Sequence, residues 1–302
     1  MDNKSLESVF IFGCGYLGTQ LAIRLLNQGH KVGALTKNQT TAEDLKARGV
    51  SEVIVSELES EKWHSKIASS YNRVVNCVSS SGGGLEGYEK SYLQGQSSIL
   101  KWAQGQTIDQ YIYTSSTSVY SEDQGGVVDE DSGLVDSLSS PTGSIIRQSE
   151  ALIESAQGSF DHYHILRLSG IYGPNRHYLL NQLLENKVIP GDGELLMNMI
   201  HVADVVSVII SIIEGNPLIQ SGIYNLSDDA PTAKRQVAEW ICEKLNSPSP
   251  EFNRELQSGR NLSRKSRTKN RKISNKKLRK SIDLKYPSFV QGYQEILKDI
   301  AN

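Results

Sequence analysis

The stretch Val9-Phe10-Ile11-Phe12-Gly13-Cys14-Gly15-Tyr16-Leu17-Gly18 constrains this chain more than any other, because an apolar run breaks directly into Gly-x-Gly-x-x-Gly. A strand that feeds such a turn ahead of a helix presents backbone N–H groups and a helix N-terminus to the pyrophosphate of a dinucleotide. Gly13 allows the tight turn, Gly15 lets the backbone approach the phosphates, and Gly18 lets the helix pack closely on the strand. Behind the turn, Leu17, Leu21, Ala22, Leu25 and Leu26 recur at helical spacing, and Gly29 is a natural stop. Gly13, Gly15, Tyr16, Leu17 and Gly18 are therefore expected to hold the cofactor.

The same alternation continues downstream. Residues 31–35 read as a second strand that ends at Thr36-Lys37. NAD sites usually carry Asp or Glu at this strand end for the ribose 2′-hydroxyl, whereas a basic residue suits a 2′-phosphate. Thr36 and Lys37 thus point to NADP, with NAD as the alternative. Residues 41–48 read as a helix, 52–56 as a strand, and 73–78 as a fourth strand running into SSSGGGLEGY. Ligands in parallel sheets sit beyond the carboxyl ends of the strands, so Val78 and residues 79–84 are expected to border the cofactor. A helix over 88–103 and a fifth strand over 110–114 complete an α/β pattern. The expected fold class is a Rossmann-type doubly wound parallel sheet with a smaller C-terminal lobe.

Composition narrows the partners. The 302 residues carry a formal net charge of −2, but 260–280 holds eleven Lys or Arg and no acid. That segment contains no aromatic residue to stack on a base, so nucleic acid is not expected as a partner. Cys14, Cys77 and Cys242 show no metal-ligand spacing and read as reduced thiols, so no metal is expected. No apolar run reaches 18 residues and the amino end shows no targeting segment. Residues 202–213 read as a buried helix, and the expectation is a cytoplasmic protein without a membrane partner.

Together with GCGYLG, four later stretches fall in order: YTSSTSVY (113–120), LRLSGIYGP (166–174), MIHVADV (199–205) and IYNLSDDAP (223–231). In these the chain resembles the extended short-chain dehydrogenase/reductase superfamily, and within it the atypical NAD-dependent epimerase/dehydratase-like proteins. The resemblance implies a Rossmann domain over 1–170 and a substrate lobe over 171–302, with 200–230 returning to the core. It also implies an NAD(P) cofactor and, as substrate, a nucleotide-sugar or similar polar small molecule. A homodimer is left open.

The family's catalytic residues carry over only in part. Four residues before Tyr120, Ser116 matches the family's Ser or Thr. The Tyr-x-x-x-Lys that should follow on the next helix falls on Thr142 and Ile146, and no Tyr occurs between Ser121 and Asp161. Two readings stand: an enzyme whose proton is handled by Tyr120, Tyr92, Asp129 or His201, or a protein that binds NADP(H) without catalysis and acts as a sensor or scaffold. Ser116 and Tyr120 are the catalytic expectations, and Asn175, Arg176 and His201 the expected substrate-binding residues. In the C-terminal part, 189–193 reads as a tight turn between two strands and 231–245 as a helix. By the resemblance, Ser274 or Asn275 caps a further helix, Arg271 or Lys272 faces a substrate diphosphate, and Tyr286-Pro287 starts the last helix.

Overall fold

A computed structural model describes residues 6–80, 82–156, 158–185, 188–256 and 270–301. Two compact units result. The first gathers Met1–Val119, Leu134–Arg167 and Val206–Tyr224; the second gathers Tyr120–Gly133, Leu168–Val205 and Asn225–Asn302. Residues 260–269 of the basic segment lie outside the described residues.

The first unit is built by strand-helix alternation. β1 (Ser8–Phe12) runs into α1 (Tyr16–Asn27), then β2 (Lys31–Thr36), α2 (Gln39–Ala47), β3 (Glu52–Val55) and β4 (Arg73–Asn76). β1 pairs in parallel with β2 and β4, β2 with β3, and β4 with β5 (Gln110–Ser116). Between β4 and β5 lie α3 (Gly84–Tyr88), a π-helical turn over Glu89–Gln94, and α4 (Gly95–Ala103). The single helix expected over 88–103 therefore starts earlier and contains a widened turn. The fourth strand stops at Asn76 rather than 78, because the Asn76 carboxamide accepts the Val78 N–H at 3.0 Å and turns the chain.

Further along, β6 (Gln124–Val128) belongs to the second unit, while α5 (Pro141–Ser155) and nearly all of β7 (His162–Leu168) belong to the first. Ser140 caps α5 by accepting the Gly143 N–H, and Pro141 occupies the first turn, where a missing N–H costs nothing. The central sheet has seven mostly parallel strands in the order β12-β7-β5-β4-β1-β2-β3, with β12 spanning Gly222–Leu226. Because β1 and β4 are neighbours, the strand order reverses beside β1, which is where doubly wound folds bind ligands. Under this sheet Phe12 packs against Trp63 (4.9 Å between ring centroids) and Trp102 (5.6 Å), and Phe10 against Tyr71 (5.0 Å). These rings pin β1 and with it the glycine turn.

In the second unit, β8 (Gly170–Tyr172) pairs in parallel with β11 (Met199–His201), and α6 (Tyr178–Glu185) follows β8. β9 (Val188–Pro190) pairs in parallel with β14 (Glu251–Asn253), and β10 (Leu196–Met197) pairs with β13 (Thr232–Ala233). The expected turn over 189–193 thus joins β9 and β10, strands that pair elsewhere rather than with each other. α7 (Val202–Ile213), whose residues from Val206 onward belong to the first unit, is the buried helix expected over 202–213. α8 (Lys234–Lys244) starts three residues later than expected because 232–233 is taken up by β13. β15 (Asn270–Ile273) pairs with β6, and α9 (Lys276–Arg279) and α10 (Phe289–Ala301) close the chain. Among the described residues no helix is long and apolar enough to cross a membrane.

Candidate functional site

At the end of β1 the chain enters the glycine turn with Gly13 at φ +87°, a conformation that side chains rarely adopt. A Cβ on Gly13 would lie 2.7 Å from the backbone nitrogen of Val78, so the turn is pressed against the segment leaving β4. A Cβ on Gly18 would lie 2.3 Å from the Gly13 carbonyl oxygen, so α1 could not approach with any side chain there. Gly15 is different, since a Cβ built on it meets nothing within 4 Å. The space above Gly15 is therefore open, at the head of a 12-residue helix that has no acid in its first turn and no side chain capping it. A dinucleotide pyrophosphate needs this combination of free approach and partial positive charge. Tyr16 and Leu17 form the first turn of α1, and the buried Leu17 anchors it to the core.

At the end of β2, Thr36 is buried and its hydroxyl accepts the Asn38 N–H at 3.2 Å. Asn38 in turn caps α2 by accepting the Thr41 N–H at 2.9 Å. Lys37 is exposed between them, and no carboxylate occurs from Thr36 through Thr41. The Thr36 hydroxyl shapes the turn, and Lys37 is the cationic group presented at this strand end.

Val78 is held by a polar chain that sequence reasoning missed. Asn76 receives the Val78 N–H and donates to Gln96, and Gln96 donates to the Tyr111 hydroxyl at 2.8 Å. A second missed group joins β5, α5 and β7: Glu150 and Arg167 form a two-armed pair at 3.0 and 2.8 Å, and the Ser115 hydroxyl also donates to Glu150. All three are buried. The only sequence signal for either group was polar residues inside otherwise apolar elements.

Ser116 ends β5 half-buried, and its hydroxyl accepts the Ser118 N–H at 3.1 Å. On α5, Gly143 lies where a Cβ would come within 2.7 Å of the Ser118 carbonyl oxygen, so the helix packs tightly on the chain leaving β5. At the family's Lys position, Ile146 is buried and carries no charge. Tyr120 belongs to the second unit and is fully buried, its hydroxyl donating to Asn225 at 2.6 Å. Arg271, expected to face a diphosphate, is also buried and donates to the Tyr120 carbonyl. Asn275 stands at the start of α9 but does not cap it; its amide donates to Ser227 and Asp229 instead.

Also in the second unit, Asn175 and Arg176 are exposed on a tight turn closed by reciprocal Gly173–Arg176 backbone bonds, with Asn175 at φ +61°. Asn tolerates that left-handed conformation better than most residues. His201 is buried, 3.9 Å from the Tyr286 ring and 5.2 Å from the Tyr172 ring. Its Nδ1 accepts the Ala203 N–H, and burial lowers its pKa to about 4, so it is neutral near pH 7. Asp204 accepts the N–H groups of Lys285 and Tyr286 at 2.7 and 3.0 Å and anchors the approach to α10. Asp228 accepts the Ala230 N–H through one oxygen, and its other oxygen is buried without a partner. Burial raises its pKa to about 8, with Asp229 and Asp204 adding like charge. Among the described residues no group of three or more His, Cys, Asp or Glu is placed to hold a metal ion.

Known proteins resemble this chain in sequence or in fold. The chain is 26% identical over 260 residues to protein YeeZ of Escherichia coli K12, covering 84% of this chain and 90% of that one. UDP-glucose 4-epimerase of Thermotoga maritima, solved with UDP-glucose, superposes with a TM-score of 0.81 at 16% identity, covering 98% and 100% of the two chains. UDP-glucuronic acid 4-epimerase of Bacillus cereus, solved in complex with NAD, superposes with a TM-score of 0.77 at 17% identity, over 98% and 100%. Residues 9–227, from the strand β1 to just past β12, match the model of one family, and the chain belongs to it: the NAD dependent epimerase/dehydratase family.

Proposed function

We propose that this protein binds NADP(H) at the glycine turn and uses it in epimerase, dehydratase or reductase chemistry on a nucleotide-activated sugar. One observation carries the reading: the open space over Gly15 at the head of α1, together with Lys37 at a strand end that holds no carboxylate. Bound there, the nicotinamide supplies hydride transfer. The chain's own residues bind and orient. The first turn of α1 takes the pyrophosphate, Lys37 takes the 2′-phosphate, and Val78 closes the turn from the β4 side. Ser116 hydrogen-bonds the reacting oxygen of the substrate. In the second unit, the exposed Arg176 offers a guanidinium that can fork onto a phosphate. Support for the substrate class comes from the sugar-nucleotide epimerases of like fold.

The test has two arms. Fluorescence titration with NADPH and NADH is expected to show tighter binding of NADPH, and Lys37→Glu to lose about tenfold or more of that preference, a difference of roughly 1.4 kcal/mol. Equal affinity for the two cofactors sinks the NADP assignment. Incubation with UDP-glucose or UDP-glucuronic acid and either oxidation state of the cofactor is followed by chromatography, and Ser116→Ala is expected to slow turnover about 100-fold or more. A second reading, a cofactor-binding sensor without catalysis, is favoured by Thr142 and the buried Ile146 where the family carries Tyr and Lys. NADPH binding with no turnover on any nucleotide-sugar supports it.

A further inference from the structure

We propose that Tyr92 is the proton donor of this site, giving its phenolic proton to a substrate carbonyl oxygen as hydride reaches the carbonyl carbon. The proposal rests on the dinucleotide-dependent reading above. Tyr92 lies in the π-helical turn Glu89–Gln94, between α3 and α4 of the first unit. A π-turn widens the helix by one residue, re-aims the side chains it carries, and recurs at functional sites. The Tyr92 ring leans on Tyr88 at 5.3 Å between centroids and packs partly buried against the aromatic core, which fixes its direction. The Ser80 backbone, four residues beyond the end of β4, lies close enough to the Tyr92 hydroxyl to bear on its ionisation. The phenol therefore stands on the carboxyl-end side of the sheet, the side on which doubly wound folds bind ligands.

The chemistry of the surroundings fits an acid rather than a base. Burial raises the Tyr92 pKa to about 12, so the phenol is protonated at neutral pH. Ile146 brings no cation that would lower it. In the step, bound NADPH would supply the hydride and be oxidised to NADP+ as the carbonyl is reduced: a new C–H bond forms at the carbonyl carbon, the carbonyl π pair moves onto oxygen, and that oxygen takes the proton as the Tyr92 O–H bond breaks. The phenolate then regains a proton from water. Tyr92 would thus do in this chain what the missing family Tyr does from the α5 side.

The experiment uses the full chain with ring-labelled tyrosine, where the Tyr92 signal is the one lost in Tyr92→Phe. With NADPH added, a nuclear Overhauser contact is expected between the Tyr92 ring and the nicotinamide protons, and the ring shifts are expected to show no ionisation below about pH 10. Contacts from the adenosine ribose without any from the nicotinamide overturn the Tyr92 assignment alone. Ionisation below about pH 8 overturns its role as donor. No NADPH contacts at all remove the dinucleotide reading and this one with it. In the turnover assay, Tyr92→Phe is expected to lower kcat about 100-fold with NADPH affinity within about twofold; wild-type kcat in that variant, or a wild-type protein without turnover, overturns the assignment.

Discussion

Gly15 and Gly18 stand three residues apart in one motif, yet they answer to different constraints. A methyl group on Gly15 meets only open space, whereas one on Gly18 collides with the Gly13 carbonyl. Gly15→Ala is therefore expected to leave urea stability within about 0.5 kcal/mol of wild type while weakening NADPH binding about tenfold or more. Gly18→Ala is expected to lose roughly 1–3 kcal/mol of stability by overpacking, whether or not cofactor is present. Equal stability of the two variants contradicts this division. Asp228 gives a second residue-scale prediction. Its pKa in the fold is about 8, above the unfolded value, so the folded state holds its proton longer and stability falls as pH rises toward 8. His201 works in the opposite sense, its depressed value removing stability as pH falls from its unfolded pKa to about 4. Between about pH 6.5 and 8 only Asp228 titrates among these two, so wild type should lose stability with rising pH there and Asp228→Asn should not. Parallel slopes in denaturant titrations would refute it.

At the level of elements, the Ser115-Glu150-Arg167 group joins a strand, a helix and a second strand through one buried ion pair. Taking charges out of water is costly, and a buried pair tolerates the loss of one partner poorly. Glu150→Ala is expected to cost about 3–5 kcal/mol by chemical denaturation, because it removes the carboxylate paired with the buried Arg167. Replacing both partners together, Glu150→Leu with Arg167→Met, should cost less than the single change. A double variant as unstable as the single one would show that the ion pair is not what holds β5, α5 and β7 together. The same helix shows why element-level reading from sequence has a limit. Ser140 and Pro141 start it by local rules, a side-chain cap and a first-turn proline, but the reason for Gly143 is not local. Only the packed structure places the Ser118 carbonyl where a side chain at 143 would go.

For the molecule as a whole, a ligand that binds only the folded chain raises its stability by mass action. NADPH at a hundred times its dissociation constant is expected to add about 2.7 kcal/mol and raise the melting temperature by several degrees. Gly15→Ala should show little of that shift at the same concentration, and a shift equal to wild type would detach the glycine turn from cofactor binding. Much of the sheet was legible in the sequence, because apolar strands, glycine turns and amphipathic helices follow from the local periods of 2 and 3.6 residues. The glycine motif, the basic strand end at Lys37 and the family it belongs to were readable for the same reason: each depends on residues close together along the chain. Contacts between distant segments were not readable. Asn76 with Gln96 and Tyr111, Glu150 with Arg167, Tyr120 with Asn225, and the ring packing that buries His201 each bring together residues far apart in sequence, and such partners exist only once the chain has closed on itself. The sequence by itself determined a doubly wound sheet with a dinucleotide turn. Tertiary structure alone decided which polar side chains are spent inside the fold and which, like Lys37, Asn175 and Arg176, stay at the surface, because burial and pairing are properties of the packed chain.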